Sequence, residues 1–435
     1  MNMNLNIRNV LSDTRSSIYV VALMLLSVAL LGVIPQTVVS VVVLALSLVL
    51  ILYGDIYMAF PIMIFYYQPL GMLFGLSTFR WFSFLYLVGF LLSRINGEEK
   101  SLLQDYKFII PLDIFFIFSV VAIGFNDFQK GLFALFDVII VYLLVTKELY
   151  DEEKSKTFFS VFVFTALASF ITGHITGNSM SEQTFLDGVL VELVRNNSTF
   201  EDPNYMGYFF TAAIFSVLAF KPFAKFVNAV LIIGLYLMLF TSLSITAIII
   251  NVLMWFFYLF IERKAFNYLP IIVIVALCMI GIYQYALTNI GSGNSFGQLA
   301  LRIQEKTMSL STGDTEGFTT NRTTLTKEHL QLFAEQPPLR QFIGMNSVCP
   351  LYRDRNFIGS LAHNEYVDWL LNIGIIGTLL MLFFVGKRFC DAISNYREDE
   401  SAHNLNIVLQ KAIWILYAFT LTIFMDYRFM LPLFM

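Results

Sequence analysis

The chain has 435 residues, 57% hydrophobic and 13% charged, with a mean hydropathy of +0.72 and a formal net charge of −4. That balance lies far from the make-up of soluble domains, and the dispersed charge implies no nucleic-acid partner. It describes a polytopic membrane protein.

Apolar runs long enough to cross roughly 30 Å of hydrocarbon as helices fall at 18–34, 37–53, 57–76, 80–92, 108–124, 131–146, 157–172, 204–219, 226–241, 244–261, 266–288, 364–386 and 408–425. They predict one all-α polytopic membrane domain over 1–435 with about 12–14 transmembrane helices, the last extending through 425–435 as a bent or re-entrant end. The runs are continuously apolar rather than alternating, which excludes a β-barrel. No typical cleavage site follows the first run, so it reads as retained. Lysine and arginine gather on alternate connections, such as Lys147, Lys154 and Lys156 or Lys387 and Arg388, which places those inside and the stretches 173–203 and 288–362 outside. Asp137, in mid-run, is costly in hydrocarbon and calls for a partner or water. Cys278, Cys349 and Cys390 suggest neither a disulfide framework nor a thiolate metal site.

The first long outer connection ends with Arg195 and then Asp202-Pro203-Asn204, which marks the start of the next helix. The second is a large, partly helical extracytoplasmic loop. An amphipathic stretch is expected at 298–308 and a helix at 321–335, with Leu325, His329, Leu332 and Phe333 on one face, Asn321 as cap and Pro337-Pro338 as stop. Ala362-His363-Asn364-Glu365-Tyr366 then leads into an apolar helix carrying Gly374 and Gly377. It sets a titratable cluster at a membrane surface.

No phosphate-binding GxxxxGK[ST] loop, no HExxH and no Asp-x-Asp sequence occurs, and the Gly-rich 291–297 segment lacks the lysine. ATP hydrolysis and nucleotide-sugar chemistry are therefore not expected. Arginine keeps its charge and forks two donors onto phosphate oxygens, so Arg195 and Arg322 suit a diphosphate clamp, with His363 as base. Taken alone, Arg195 also reads as an interfacial residue snorkelling to headgroups, Arg322 as a solvated helix residue, and His363 as a partner for a helix end. Glu365 and Asp368 share a helical face and suit orienting His363, binding sugar hydroxyls, or a structural role. Trp369 and Tyr366 suit stacking on sugar rings.

These patterns resemble the O-antigen ligase and O-antigen polymerase (Wzy-type) superfamily of bacterial envelope glycosyltransferases. The likeness rests on Arg195 with Phe200 and Pro203-Asn204, on Arg322 ahead of Pro337-Pro338 and Gly344, and on His363-Asn364 before Gly374 and Gly377. It covers most of the chain. Ser198 stands where members often have glycine, and Met206 stands where an Arg-x10-Gly spacing would need one. The resemblance implies a multi-pass protein of the bacterial inner membrane with its active face extracytoplasmic, using no metal or cofactor. It further implies a polymerase that transfers a glycan from undecaprenyl diphosphate to another lipid-linked repeat unit. Arg195 and Arg322 would bind the diphosphate, and His363 and Glu365 would be catalytic. Asn364, Tyr366, Asp368 and Asn204 would bind or orient substrate. Its partners would be the lipid-linked oligosaccharide, membrane lipids and a chain-length regulator. The alternatives are a ligase delivering the glycan to lipid A core and, from another class, a lipid-linked sugar transporter or flippase.

Overall fold

The computed structural model describes residues 14–95, 133, 136–186, 189–263, 284, 295–314, 317, 319, 322–344, 362–423 and 426–435. The 108–124 stretch, all of 266–288 except Gln284, and the cap Asn321 lie outside these residues.

The described chain is mostly helical. In order it forms α1 (Thr14–Ala29), α2 (Gln36–Tyr53), a 3-10 turn at Ile56–Ala59, α3 (Phe60–Phe65), a small hairpin of β1 (Met72–Leu73) and β2 (Leu76–Ser77), and α4 (Thr78–Ile95). Residues 136–144 are helical and run into a π-turn at Val145–Leu149. There follow α5 (Glu152–Thr176), a long hairpin of β3 (Ser179–Leu186) and β4 (Val189–Asn196), α6 (Pro203–Phe220), α7 (Lys225–Thr241) and α8 (Ile245–Ile261). The remainder comprises α9 (Ser295–Ser311), α10 (Arg322–Ala334), α11 (Pro338–Ile343), α12 (Glu365–Glu398), α13 (Ala402–Ala418) and α14 (Tyr427–Phe434). Three of these, α2, α5 and α12, are long and apolar enough to cross a membrane, and shorter apolar stretches lie in α1, α4, α7 and α8. This is the make-up of a helical membrane protein.

Two places depart from an all-α reading. The 57–76 run is not one helix: after α3 it turns at Gln68-Pro69, where proline offers no donor to a helix, and closes a hairpin through Gly71, Phe74 and Gly75 at φ +59°, +50° and +81°. The connection between α5 and α6 is the antiparallel β3–β4 hairpin, with Ser179 opposite Asn196 and Met180 opposite Arg195.

Helix ends follow from local chemistry. Asp151 accepts from the Lys154 N–H at the start of α5, where Glu152 and Glu153 complement the helix dipole, and Gly177 closes the other end in a left-handed conformation. At α6 Asp202 is the cap and Pro203 the first helical residue, as Asp202-Pro203-Asn204 predicts.

The core centres on α6, which is buried along nearly its whole length. Within an apolar bundle, polar groups must find partners in neighbouring helices. Gln410 Nε2 donates to the Ala212 carbonyl and to Ser216 Oγ, both at 3.0 Å, and Asn251 Nδ2 donates to Thr211 Oγ1 at 2.7 Å. Aromatic rings fill the space above, with Phe200 stacked on Phe209 at 4.8 Å between centroids and Phe429 at 4.9 Å from Phe209. These contacts hold the start of α6 and the end of the chain in one packed unit.

Candidate functional site

Between the β3–β4 hairpin and α6, the chain turns sharply at Ser198, whose φ is +54°. Glycine takes that conformation without strain, yet here serine is held in it by three neighbours. Its N–H donates to Asn196 Oδ1 at 2.7 Å and its Oγ donates to Ser169 Oγ at 2.9 Å. Gly173 completes the seat, because a Cβ there would lie 2.4 Å from the Ser198 carbonyl oxygen.

This turn places Arg195 inside the protein, 7% exposed. Its Nε donates to the Ser242 carbonyl between α7 and α8 at 3.1 Å, and its Nη1 reaches Glu182 Oε2 on the facing strand at 3.4 Å. Glu182 also accepts through Oε1 from Arg302 Nη1 of α9 at 3.1 Å. Arg302 is 3% exposed and donates from the same Nη1 to Glu305 at 2.8 Å, while its buried Nε has no hydrogen-bond partner among the described residues. Gln298 Oε1 accepts from the Val194 N–H at 3.3 Å, so α9 lies along the hairpin.

Arg322 is the first residue of α10, half-buried, with no hydrogen bond or ion pair to any described residue. A buried cation without a side-chain partner among the described residues breaks a local rule, which is a mark of function. Burial holds the guanidinium below its ordinary pKa, with Asp202 opposing and Arg302 adding to the shift. Arg195 is lowered likewise, by burial first and then by Arg302, against Glu182 and Asp202. Both remain cations, since arginine does not lose its proton in proteins.

His363 sits just before α12 at φ +51°, a strained setting that non-glycine residues occupy mainly where surrounding structure imposes it. Its imidazole makes no hydrogen bond to any described residue. Burial and then the Arg322 charge push its pKa below 6.5, with Asp202 and Asp368 opposing. Asp202 therefore lies in the electrostatic field of Arg195, Arg322 and His363 together. The three groups singled out from sequence share Asp202, the cap of α6, as an electrostatic neighbour.

The other residues predicted for the site are engaged in holding it. Asn364 caps α12, its Oδ1 accepting from Tyr366 N at 3.1 Å and Val367 N at 3.4 Å. Glu365, 2% exposed, accepts from the Ile423 N–H, and Asp368 accepts from Thr422 Oγ1 and from the Ala362 N–H. Tyr366 donates its hydroxyl to the Ile415 carbonyl at 3.1 Å and packs on Phe419 and Trp369. Asn204 donates to Asp202 Oδ1 at 2.7 Å and accepts from Ser244 Oγ at 2.7 Å, joining α6 to α8. Trp369 is 2% exposed, so its ring is part of the core. Asp137 keeps a buried Oδ1 with no hydrogen-bond partner among the described residues.

Sequence reasoning missed Arg302 and Glu182. On an amphipathic helix an arginine reads as a solvated side chain, and nothing local says that a hairpin 120 residues earlier in the chain covers it. The signal available was Val189 to Val194, rich in β-branched and aliphatic residues after a polar alternating strand.

No protein-family model matches this chain, and no curated protein does. The geometry therefore carries the functional reading.

Proposed function

We propose that the protein is an integral-membrane glycosyltransferase of the polysaccharide-polymerase type. In this reading it is a multi-pass protein of about 12–14 spans in the bacterial inner membrane, and the cluster around Asp202 faces outward. The observation that carries it is the pairing of Arg322 and His363, two groups in one electrostatic neighbourhood with no hydrogen-bond partner among the described residues. A buried cation that pairs with no described side chain suits an anionic ligand, and a neutral imidazole beside it suits taking up a proton.

The donor in this reading is a glycan on undecaprenyl diphosphate, so the anomeric carbon already carries its leaving group. The acceptor hydroxyl of a second lipid-linked repeat unit attacks that carbon while His363 takes its proton. The new glycosidic C–O bond forms as the C–O bond to phosphate breaks, with inversion at the sugar. Arg322, Arg195 and Arg302 stabilise the charge that gathers on the departing diphosphate. Glu365 and Asp368 position His363 by fixing the start of α12 to residues 422–423.

Incubation of the purified protein with undecaprenyl diphosphate-linked repeat units tests this reading. A glycan ladder from wild type, lost in folded Arg195→Ala, Arg322→Ala and His363→Ala variants, supports it. No ladder, but transfer to added lipid A core, makes the protein a ligase. Movement of lipid-linked sugar across liposomes without a new glycosidic bond makes it a transporter.

A further inference from the structure

We propose that Glu182 is an exchangeable counter-ion, holding between Arg195 and Arg302 the place of ligand phosphate oxygens, and that Arg302 is a third cation of the clamp. The proposal rests on the reading of this cluster as an anion site and adds what holds its cations together before a ligand arrives.

The geometry of the carboxylate is that of a bridging anion. One oxygen takes Nη1 of Arg195 at 3.4 Å and the other takes Nη1 of Arg302 at 3.1 Å. Both distances exceed the 2.7–2.9 Å of a strong charge-assisted bond, whereas the Arg302 contact with Glu305 on its own helix is 2.8 Å. Glu182 is therefore the looser of the two partners of Arg302. It also stands on a two-stranded hairpin, an arrangement with little stability of its own, and its side chain is 22% exposed.

Arg302 carries the second observation. The residue is 3% exposed, and among the described residues both hydrogen bonds of its guanidinium leave from one nitrogen while the buried Nε has no acceptor. A buried donor without a partner is expensive, and an incoming oxyanion is the chemistry that satisfies it. The charge balance agrees. Arg195, Arg302, Lys306 and Arg322 gather here against the carboxylates of Glu182, Glu305 and Asp202, so cations are in excess. With Glu182 in place two neighbouring guanidiniums do not face each other bare. With it displaced, a diphosphate finds a fork on each side.

Binding of inorganic pyrophosphate and of farnesyl diphosphate to the full-length protein in detergent, by titration calorimetry, tests this directly. Glu182→Gln keeps the shape and removes the competing charge, so both ligands bind roughly tenfold more tightly than to wild type, a change in keeping with removal of a like charge a few ångströms away. Arg302→Gln binds both more weakly, and Glu192→Gln, a carboxylate of the same hairpin hydrogen-bonded to Ser181, changes nothing. Weaker or unchanged binding in a folded Glu182→Gln variant, or unchanged binding in Arg302→Gln, overturns the proposal, as does binding of neither ligand to any form. Glu182→Ala, in which no amide replaces the carboxylate, must tighten binding as well. With the tightening observed, equal affinity for the two ligands assigns the site to free diphosphate and a much higher affinity for the prenyl compound assigns it to a lipid headgroup. A polymerase whose Glu182→Gln form binds more weakly loses this proposal alone; the expected tightening without a glycan ladder removes the polymerase reading alone.

Discussion

Arg428 grips Glu201 with both arms of its guanidinium, Nη1 to Oε2 at 3.1 Å and Nη2 to Oε1 at 2.7 Å, across 227 positions of chain. The same group donates to both oxygens of Asp426 and lies 5.4 Å from the Tyr67 ring and 5.5 Å from Tyr205. Burial alone would raise the Glu201 pKa, but the Arg428 bonds outweigh it and hold the carboxyl below its ordinary range. Since Glu201 adjoins Asp202, the end of the chain fixes the start of α6.

Arg428→Ala is therefore expected to lower stability by about 3 kcal/mol, because it leaves carboxylates around a buried position without their counter-ion. Arg428→Lys recovers less than half, since an ammonium cannot fork onto both oxygens of Glu201. Thermal unfolding in detergent reads both; a melting temperature unchanged in Arg428→Ala would show the pair to be idle.

The His363 imidazole is expected to titrate below 6.5, burial being the larger cause and the Arg322 charge the next. It is then neutral at pH 7, and activity falls on the acid side with a half-point under 6.5. Arg322→Gln removes the repelling charge and moves the titration up towards 6.5. The pH dependence of His363 acylation by diethyl pyrocarbonate measures both, and a downward shift in the variant refutes the coupling. The sign for stability follows: with the folded pKa under the unfolded one, this group costs stability as pH drops through 6.5, and the cost levels off below the folded pKa.

Glu365 is expected to act through the backbone it holds. Glu365→Gln keeps an acceptor for the Ile423 N–H and leaves the fold intact, with a smaller loss of activity than His363→Ala. Glu365→Ala strands that buried donor at a cost of about 1–3 kcal/mol. Equal loss of activity in Glu365→Gln and His363→Ala, with unchanged melting, assigns Glu365 a direct part in the chemistry.

Gly374 and Gly344 meet backbone to backbone. Gly374 has φ +67° inside α12, and a Cβ on it would lie 2.4 Å from Gly344 N; Gly344 has φ +84°, with Asn372 O 2.2 Å from its Cβ position. Either glycine to alanine is expected to cost at least about 2 kcal/mol from the backbone conformation alone. Because one contact is lost in both, the double variant costs less than the sum, which a double-mutant cycle of melting free energies measures.

Sequence showed the helices better than their interruptions. Asp202 and Pro203 signalled the start of α6 because capping is written in adjacent residues, and Pro337-Pro338 ended α10 for the same reason. Gly374 read as one glycine in an apolar helix, since only contact with Gly344, thirty positions earlier, reveals why the helix breaks there. Arg195, Arg322 and His363 were legible as chemistry-bearing types at the edges of apolar runs. Their convergence was not, because it depends on a hairpin folding over α9 and on Asp202, whose local signal is that of a cap. Glu365 and Asp368 looked like site residues for an equally physical reason: acidic groups at a helix start suit the dipole whether they serve a ligand or a loop.

The break at Gly374 divides α12 into two rods joined at a single residue. The upper rod is bolted to the 422–423 segment through Glu365 and Asp368, while the lower presents Ile376, Leu379, Leu380 and Phe383 outward. A bilayer that is too thick or too thin tilts whatever helix it grips. Here the break at Gly374 gives such a tilt a place to be taken up, as by a universal coupling in a drive shaft, so that the rod held at Glu365 and Asp368 need not follow the one that faces the lipid.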